Sequence, residues 1–293
     1  MNHPKVHVVI LNWNGLQDTT ECLESLRNID YPNYEVLVVD NGSERNDAEV
    51  LKKRFGDFVL VIENDRNYGF AEGCNIGMRY ALETTTLEYI LLLNNDTTVD
   101  PGFLSEMIEV AQSDTSIGIT GPVVYDYYDT AEVRTAGGRI HWLRGIVSLF
   151  RLADSGELSP AVRQVDFIEG SCMLVRREMI DRVGMLNAEY FSYWEDTDWC
   201  VRCQRNGYKL YCALKARIWH KAPHSYLEST KLYLFLRNNI LFMRRNALRK
   251  DMALFLPYFL FCSIPLFTLK HLLKHPFGTV MAVGKALVWN LRN

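Results

Sequence analysis

Three acid-bearing clusters hold most of the chemistry this sequence can offer: Asp40-Asn41-Gly42-Ser43, Asn94-Asn95-Asp96, and Trp194-Glu195-Asp196-Thr197-Asp198-Trp199. Asp96 closes the apolar run Tyr89–Leu93. A carboxylate flanked by amides suits Mg²⁺ or Mn²⁺, because such a hard cation takes one or two protein oxygens and leaves its other positions to phosphates and water. The same triplet is also ordinary turn material. Glu195 and Asp196 stand among aromatic residues, where a carboxyl is costly to place unless water, a cation or hydrogen-bond donors reach it. Partial desolvation raises such a carboxyl toward the pKa a general base needs, and aromatic faces are where sugars bind. Asp198 reads instead as an acid in the first turn of a helix, favoured by the helix dipole.

These residues need a frame that brings them together. Strands are predicted at His7–Leu11, Glu35–Val39, Phe58–Ile62 and Tyr89–Leu93, alternating with helices over Leu16–Asn28, Asp47–Phe55 and Ala71–Glu83. That alternation predicts a parallel sheet with right-handed crossovers and functional residues at the carboxyl ends of its strands. Three of the strands end in polar clusters: Asn12-Trp13-Asn14, Asp40-Asn41-Gly42 and Asn94-Asn95-Asp96. At a strand end Asp40 can accept from a nucleobase or ribose, while Gly42 lets the backbone approach closely. Asn67 and Gly69 open a helix carrying Gly73, Asn75 and Gly77, whose small residues and amides can lie against a sugar, although Asn67 can equally be a plain cap. Phe167–Arg176 reads as a strand with Gly170 at a place of close approach. No G-x-G-x-x-G follows the first strand and no Walker pattern exists, which disfavours NAD and P-loop chemistry.

With 293 residues, 48% hydrophobic and 23% charged, the chain has material for one large α/β domain and an appendage. The apolar stretch Val6–Leu11 is too short for a signal-peptide core, so the catalytic part is expected in the cytoplasm. Seven cysteines, an odd number, fit reduced thiols, and Cys200 and Cys203 read as helix residues rather than zinc ligands. The net charge of −3 is unevenly shared: from Ser229 onward ten Lys or Arg face one acid, Asp251, giving +9 and leaving −12 for the rest. Within that tail Met252–Leu269 is uncharged and follows Arg244, Arg245, Arg249 and Lys250. As a helix it would extend about 27 Å, just short of a bilayer core, with kinks at Pro257 and Pro265. A re-entrant or interfacial hairpin held against anionic lipid is expected, with a buried helical pair as the alternative. Tyr125–Val165 shows no readable chemistry beyond a turn at Gly137-Gly138.

Taken in order, VVILNWNG, VLVVDNGS, NYGFAEGCNIG, LLLNNDT, EGSCMLVRRE, YFSYWEDTDWCVRCQRNG and IWHKAPHS resemble the family 2 inverting glycosyltransferases of the GT-A fold. The resemblance spans about Val6 to Arg245 and is nearest to the bacterial rhamnosyltransferase-like branch. It implies a Rossmann-like α/β domain, a mostly parallel sheet flanked by helices, over residues 1–228, with a nucleotide-sugar half to about 122 and an acceptor half beyond. A helical, membrane-associating segment would follow over 229–293. The implied reaction is inverting transfer of a sugar, rhamnose by analogy with that branch, from a nucleotide-diphosphate donor to a hydroxyl of a saccharide acceptor, with Mg²⁺ or Mn²⁺ bound.

By match to the family's motifs, Asn12, Trp13, Asn14, Asp40, Asn41, Gly42, Asn67, Gly69, Asn75, Asn94 and Asn95 would contact the nucleotide sugar. Asp96 would be the metal aspartate, Asp196 the base with Glu195 beside it, and His220 a further metal or diphosphate contact. One departure matters: Asn94 stands where a full D-x-D has its first acid, and Asn95 where close relatives often have proline. The donor's diphosphate and His220 must then complete the coordination begun by Asp96. The basic tail implies a lipid-linked acceptor met at the cytoplasmic face of the inner membrane, in surface-polysaccharide or lipopolysaccharide precursor synthesis. No nucleic-acid partner is expected. A sugar-phosphate nucleotidyltransferase would need a glycine- and basic-rich loop after the first strand, and a noncatalytic membrane-binding protein would leave the clustered acids unexplained.

Overall fold

The computed structural model describes residues 3–151, 161–221, 228–272 and 276–293. The end of the IWHKAPHS motif, residues 222–225, and part of the 125–165 segment lie outside them. In the first half, strands and helices alternate as predicted: β1 (Val6–Asn12), α1 (Leu16–Leu26), β2 (Tyr34–Asp40), α2 (Asp47–Phe55), β3 (Val59–Glu63), α3 (Gly69–Thr84) and β4 (Tyr89–Asn94). β2 and β4 flank β1 in parallel, and β3 continues the sheet beyond β2. Both faces of β1 and β4 are covered, which is why each reads as an apolar run rather than an alternation. Pairing of Asn12 with Asp40 and of Leu11 with Asn94 brings the three polar clusters to one edge of the sheet.

The second half adds β5 (Thr97–Val99), α4 (Phe103–Ser113), β6 (Ile117–Asp126), β7 (Val133–Thr135) and a separate hairpin of β8 (Gly138–His141) and β9 (Ile146–Leu149). Then come β10 (Val162–Val165), β11 (Cys172–Arg176), α5 (Arg177–Val183), α6 (Glu195–Arg205) and β12 (Lys209–His220). The main sheet runs β10-β12-β6-β11-β4-β1-β2-β3, with β5 on β12 and β7 on β6. β11 lies antiparallel between β4 and β6. An antiparallel strand begins where its neighbour ends, so Glu169-Gly170-Ser171 arrives beside the end of β4, where Asn94 N donates to Ser171 O at 2.9 Å. For the same reason, antiparallel pairing of β5 with β12 sets His220 opposite Thr97, next to Asp96.

Alternate strand residues fill two cores. Val9, Leu37 and Leu92 pack with Met78, Trp199 and Phe242 on one face, and Val8, Val38 and Leu91 with Leu23, Leu51 and Phe103 on the other. α3 lies close on the sheet because a Cβ at Gly73 or at Gly77 would fall 2.5 Å from Leu11 or Val9. These two glycines therefore serve helix–sheet packing and do not lie against a sugar.

α7 (Glu228–Asn246) is part of this body, with Leu236, Asn238, Phe242 and Met243 buried. α8 (Arg249–Tyr258) continues through a π-helical turn, Phe259–Ser263, into α9 (Ile264–Leu272), and α10 (Pro276–Arg292) packs on α7 and α9. The apolar segment is thus one helix rather than a hairpin. Its wide turn lies between Pro257 and Pro265 and absorbs the hydrogen bonds that proline cannot make. Arg249–Leu269 is the one helix among the described residues long and apolar enough to cross a bilayer, and 11% of its apolar stretch is buried in the protein. That figure excludes burial of the stretch against the main domain and leaves it open to a membrane or to a partner subunit.

Candidate active site

A cleft of about 590 Å³ opens at the carboxyl edge of the sheet. Its polar part carries Asn94, Asn95 and Asp96 after β4, Glu169 and Ser171 before β11, and His220 at the end of β12. His220 is 4% exposed, with Nε2 3.1 Å from Asp96 Oδ1 and Nδ1 3.4 Å from Glu169 Oε1. Burial pushes its pKa down, but the two carboxylates outweigh burial and raise it to about 9. Both nitrogens are within ion-pair reach of a carboxylate, yet neither is aligned for a hydrogen bond. Asn94 Oδ1 and Ser171 Oγ are further buried polar atoms of this wall without a partner among the described residues. A carboxylate, an unmatched amide oxygen and, once a cation displaces its proton, the imidazole are donors that Mg²⁺ or Mn²⁺ accepts. Among the described residues no three His, Cys, Asp or Glu stand together as a metal site. The residues therefore fit a cation that brings other ligands with it, and do not form a closed cage.

Asp196 sits in the first turn of α6, on another wall of the cleft. Its Oδ2 accepts from Gly170 N at 3.0 Å, and its Oδ1 accepts from Thr197 N at 2.6 Å and Thr197 Oγ1 at 3.1 Å. Burial raises its pKa, the amides of Gly170 and Thr197 and the Thr197 hydroxyl pull it down, and Glu169 adds a further upward push, leaving it at about 6. The close approach made by Gly170 is to this carboxylate, since a Cβ there would lie 3.2 Å from Asp196 Oδ2. Glu195 is 5% exposed and its Oε2 has no partner among the described residues. Burial first, then the charges of Asp196 and Asp198, drives its pKa well above the carboxylate range, so the pair divides into a neutral acid and an ionisable base. Asp198 is structural: it accepts from Tyr190 Oη, Arg202 Nε and Asn246 Nδ2.

The loop entering α6 is unusual in backbone conformation, with Phe191, Tyr193 and Trp194 at φ 63°, 71° and 76°. Left-handed conformations cost roughly 1–2 kcal/mol each for such residues, so they persist only where neighbours hold them. α7 does this. Asn238 Nδ2 donates at 2.8 Å to the carbonyls of Tyr190, Ser192 and Tyr193, and Arg237 Nη2 donates to those of Glu189 and Tyr190. The Arg237 guanidinium in turn lies 4.8 Å from the ring of Trp289 in α10.

The proposed nucleoside residues divide. Trp13, Asn41, Asn67 and Gly69 line the cleft, as do Asn94 and Asn95. Asn41 also ties down the approach to α3, bonding Asn67 Oδ1, Gly69 O and Tyr68 N, and Asn67 Oδ1 accepts from Gly69 N as a cap would. Asn12 is fully buried and directs its amide to Asp40, Ser43 and Asp47 while accepting from Thr19. It orients Asp40 and does not face the cleft. Asp40 receives both Asn12 and Ser43 on Oδ1, and no described residue bonds its Oδ2. Asn14 joins the first two strand-end loops through Ser43 and Glu44. The tight approach at Gly42 is to Arg66, since a Cβ there would fall 2.6 Å from its backbone. Asn75 clamps both backbone groups of Leu186 and lies off the cleft. Glu169, Thr197 and the two α7 residues escaped the sequence reading. The one signal for the last was a polar Arg237-Asn238-Asn239 inside an apolar helical run.

The model of the family described as Glycosyl transferase family 2 matches residues 7–184. The chain is 24% identical over 239 residues to the low-salt glycan biosynthesis hexosyltransferase Agl10 of Haloferax volcanii, covering 80% of this chain and 74% of that one. It is 26% identical over 210 residues to the N-acetylglucosaminyl-diphospho-decaprenol L-rhamnosyltransferase of Mycobacterium tuberculosis, covering 65% and 67%. Its fold is similar to that of the mannosyltransferase PcManGT from Pyrobaculum calidifontis, solved with GDP-Man and Mn²⁺, at a TM-score of 0.63 and 15% identity over 99% of this chain and 81% of that one. A GT-A sheet with its polar strand ends gathered on one cleft, and a family match over most of that sheet, lead to one assignment: the chain belongs to glycosyl transferase family 2.

Proposed function

We propose that this glycosyltransferase is metal-dependent and inverting, and that it moves a hexose or deoxyhexose, with rhamnose as first candidate, from a nucleotide-diphosphate sugar to a saccharide hydroxyl. The observation that carries the proposal is Asp196, a carboxylate held by the amides of Gly170 and Thr197 in the same cleft as the Asp96–His220 pair. Asp96, His220 and the donor phosphates would hold the cation. Mg²⁺ or Mn²⁺ there supplies Lewis-acid stabilisation of the charge that grows on the departing diphosphate. Asp196 takes the proton of the acceptor hydroxyl as that oxygen attacks the anomeric carbon from the face opposite the diphosphate, which inverts the centre. Neutral Glu195 offers a hydrogen bond to a sugar hydroxyl. Asp40 Oδ2, Trp13, Asn41 and the Asn67–Gly69 turn receive the nucleoside.

The acceptor is lipid-linked in this reading, as the name of the decaprenol-specific relative suggests for that protein. The exposed apolar helix then works at the cytoplasmic face of the inner membrane. The catalytic unit would run through α7 to residue 246, its nucleotide-sugar half ending near residue 122, with residues 247–293 facing the membrane. The test is a panel of nucleotide sugars incubated with Mg²⁺ or Mn²⁺ and read for slow donor hydrolysis and for the anomeric configuration of the released sugar. One responding donor, dependent on the cation and giving the inverted anomer, is expected. A retained anomer, or turnover undiminished by chelation, would overturn the mechanism.

A further inference from the structure

We infer that the cleft binds the hydrocarbon chain of its lipid-linked acceptor directly, along an aromatic ridge that leads from the reacting carboxylates to α9. The inference rests on the lipid-linked acceptor reading above and specifies which part of the lipid is recognised and where. The ridge starts at Trp194, the residue before Glu195. The Trp194 ring lies 5.6 Å from that of Phe235, itself part of the cleft wall, and Phe235 lies 5.7 Å from Phe267 in α9. Both phenylalanines are half-buried, so the ridge keeps an open edge.

The facing wall is the β8–β9 hairpin, which presents Ile146, Val147 and Leu149 to the cleft. The turn of that hairpin is seated on α8. Gly145, at φ +58°, accepts from Asn239 Nδ2 at 2.5 Å, and a Cβ there would fall 2.4 Å from the Phe255 ring. Thus each apolar wall of the cleft is built on the helix that exposes Phe261, Leu266 and Leu269.

Aromatic rings can stack on a sugar, but the aliphatic wall of Ile146, Val147 and Leu149 would leave its hydroxyls unmatched, whereas hydrocarbon fits both walls. One polar donor interrupts the ridge: buried Trp194 Nε1 has no acceptor among the described residues, which suits a phosphate oxygen at the head of the chain. Since the ridge begins one residue from Glu195-Asp196, the acceptor sugar must stand close to the lipid phosphate and cannot be the far end of a long glycan.

Binding of methyl, geranyl and farnesyl phosphate to the full-length protein, each kept below its aggregation concentration, tests this without knowledge of the sugar. Burying each added methylene contributes up to about fourfold in affinity. Farnesyl phosphate should therefore bind at least about tenfold tighter than geranyl phosphate, and methyl phosphate far more weakly than either. Phe267→Ser and Phe235→Ser should remove most of that dependence on chain length, while Phe277→Ser, on the exposed face of α10, should leave it intact. Equal affinity for the three phosphates would overturn the inference. So would an equal loss in Phe277→Ser, which would place the binding on the outer apolar face. Failure of the glycosyltransferase mechanism would appear elsewhere, as a silent nucleotide-sugar panel with prenyl phosphate binding preserved.

Discussion

At Asp196 burial and two backbone amides pull the carboxyl in opposite directions, and the result near 6 leaves it ionised at neutral pH yet basic enough to take a proton. Asp196→Asn should lower kcat by about 10²- to 10⁴-fold with donor affinity unchanged by calorimetry, and a loss below tenfold would move the base elsewhere. The base works only when unprotonated. In the wild type kcat/KM should therefore fall as pH drops through about 6, and the residual rate of the Asn variant should lack that limb. Asp96→Ala should abolish Mn²⁺ binding followed by electron paramagnetic resonance, while Asn94→Ala should weaken it modestly, because one is a carboxylate and the other a neutral oxygen. These acids were legible in the sequence because a carboxyl between aromatics, or at the end of an apolar run, is costly without a purpose. Asn12 and Asn75 were not legible in the same way: a buried amide at a strand end or on a helix looks alike whether it meets a ligand or, as here, a neighbouring loop.

Among the elements, α7 bears most directly on the site. Three carbonyls of the strained loop converge on one amide of Asn238, so Asn238→Ala leaves buried acceptors unmatched and frees Phe191, Tyr193 and Trp194 to leave their left-handed conformations. A loss of about 2–4 kcal/mol in stability is expected from the orphaned carbonyls. A fall in kcat larger than the rise in donor KM is also expected, checked by thermal melts and steady-state rates. A kcat within twofold of wild type would show that the loop holds itself. The parallel half of the sheet could be read from β–α alternation and β11 could be read as a strand, but its antiparallel direction could not, since an apolar strand does not announce its direction. Glu169 went unread for that reason: its place beside His220 depends on β11 running against β4.

Charge gives the whole molecule an orientation. Residues 1–228 carry −12 and residues 229–293 carry +9, so an anionic membrane would repel one and attract the other, turning the apolar face of α8–α10 to the bilayer. Replacing Phe261 and Phe277 together by Ser should release the protein from anionic vesicles in a sedimentation assay while nucleotide-sugar hydrolysis continues. Persistent sedimentation would count against membrane attachment through this face. Deleting residues 249–293 should also release it but should cost turnover as well, because Phe255 and Trp289 go with the deleted segment. The tail's composition was readable from the sequence, whereas its support of the catalytic loop depends on contacts far apart along the chain.

The stacking of Trp289 on Arg237 makes the far end of the fold answerable to the catalytic loop. Arg237 holds the carbonyls of Glu189 and Tyr190, so α10 and the loop before α6 share one brace. Whatever displaces α10 therefore reaches the entrance of α6 through a single guanidinium.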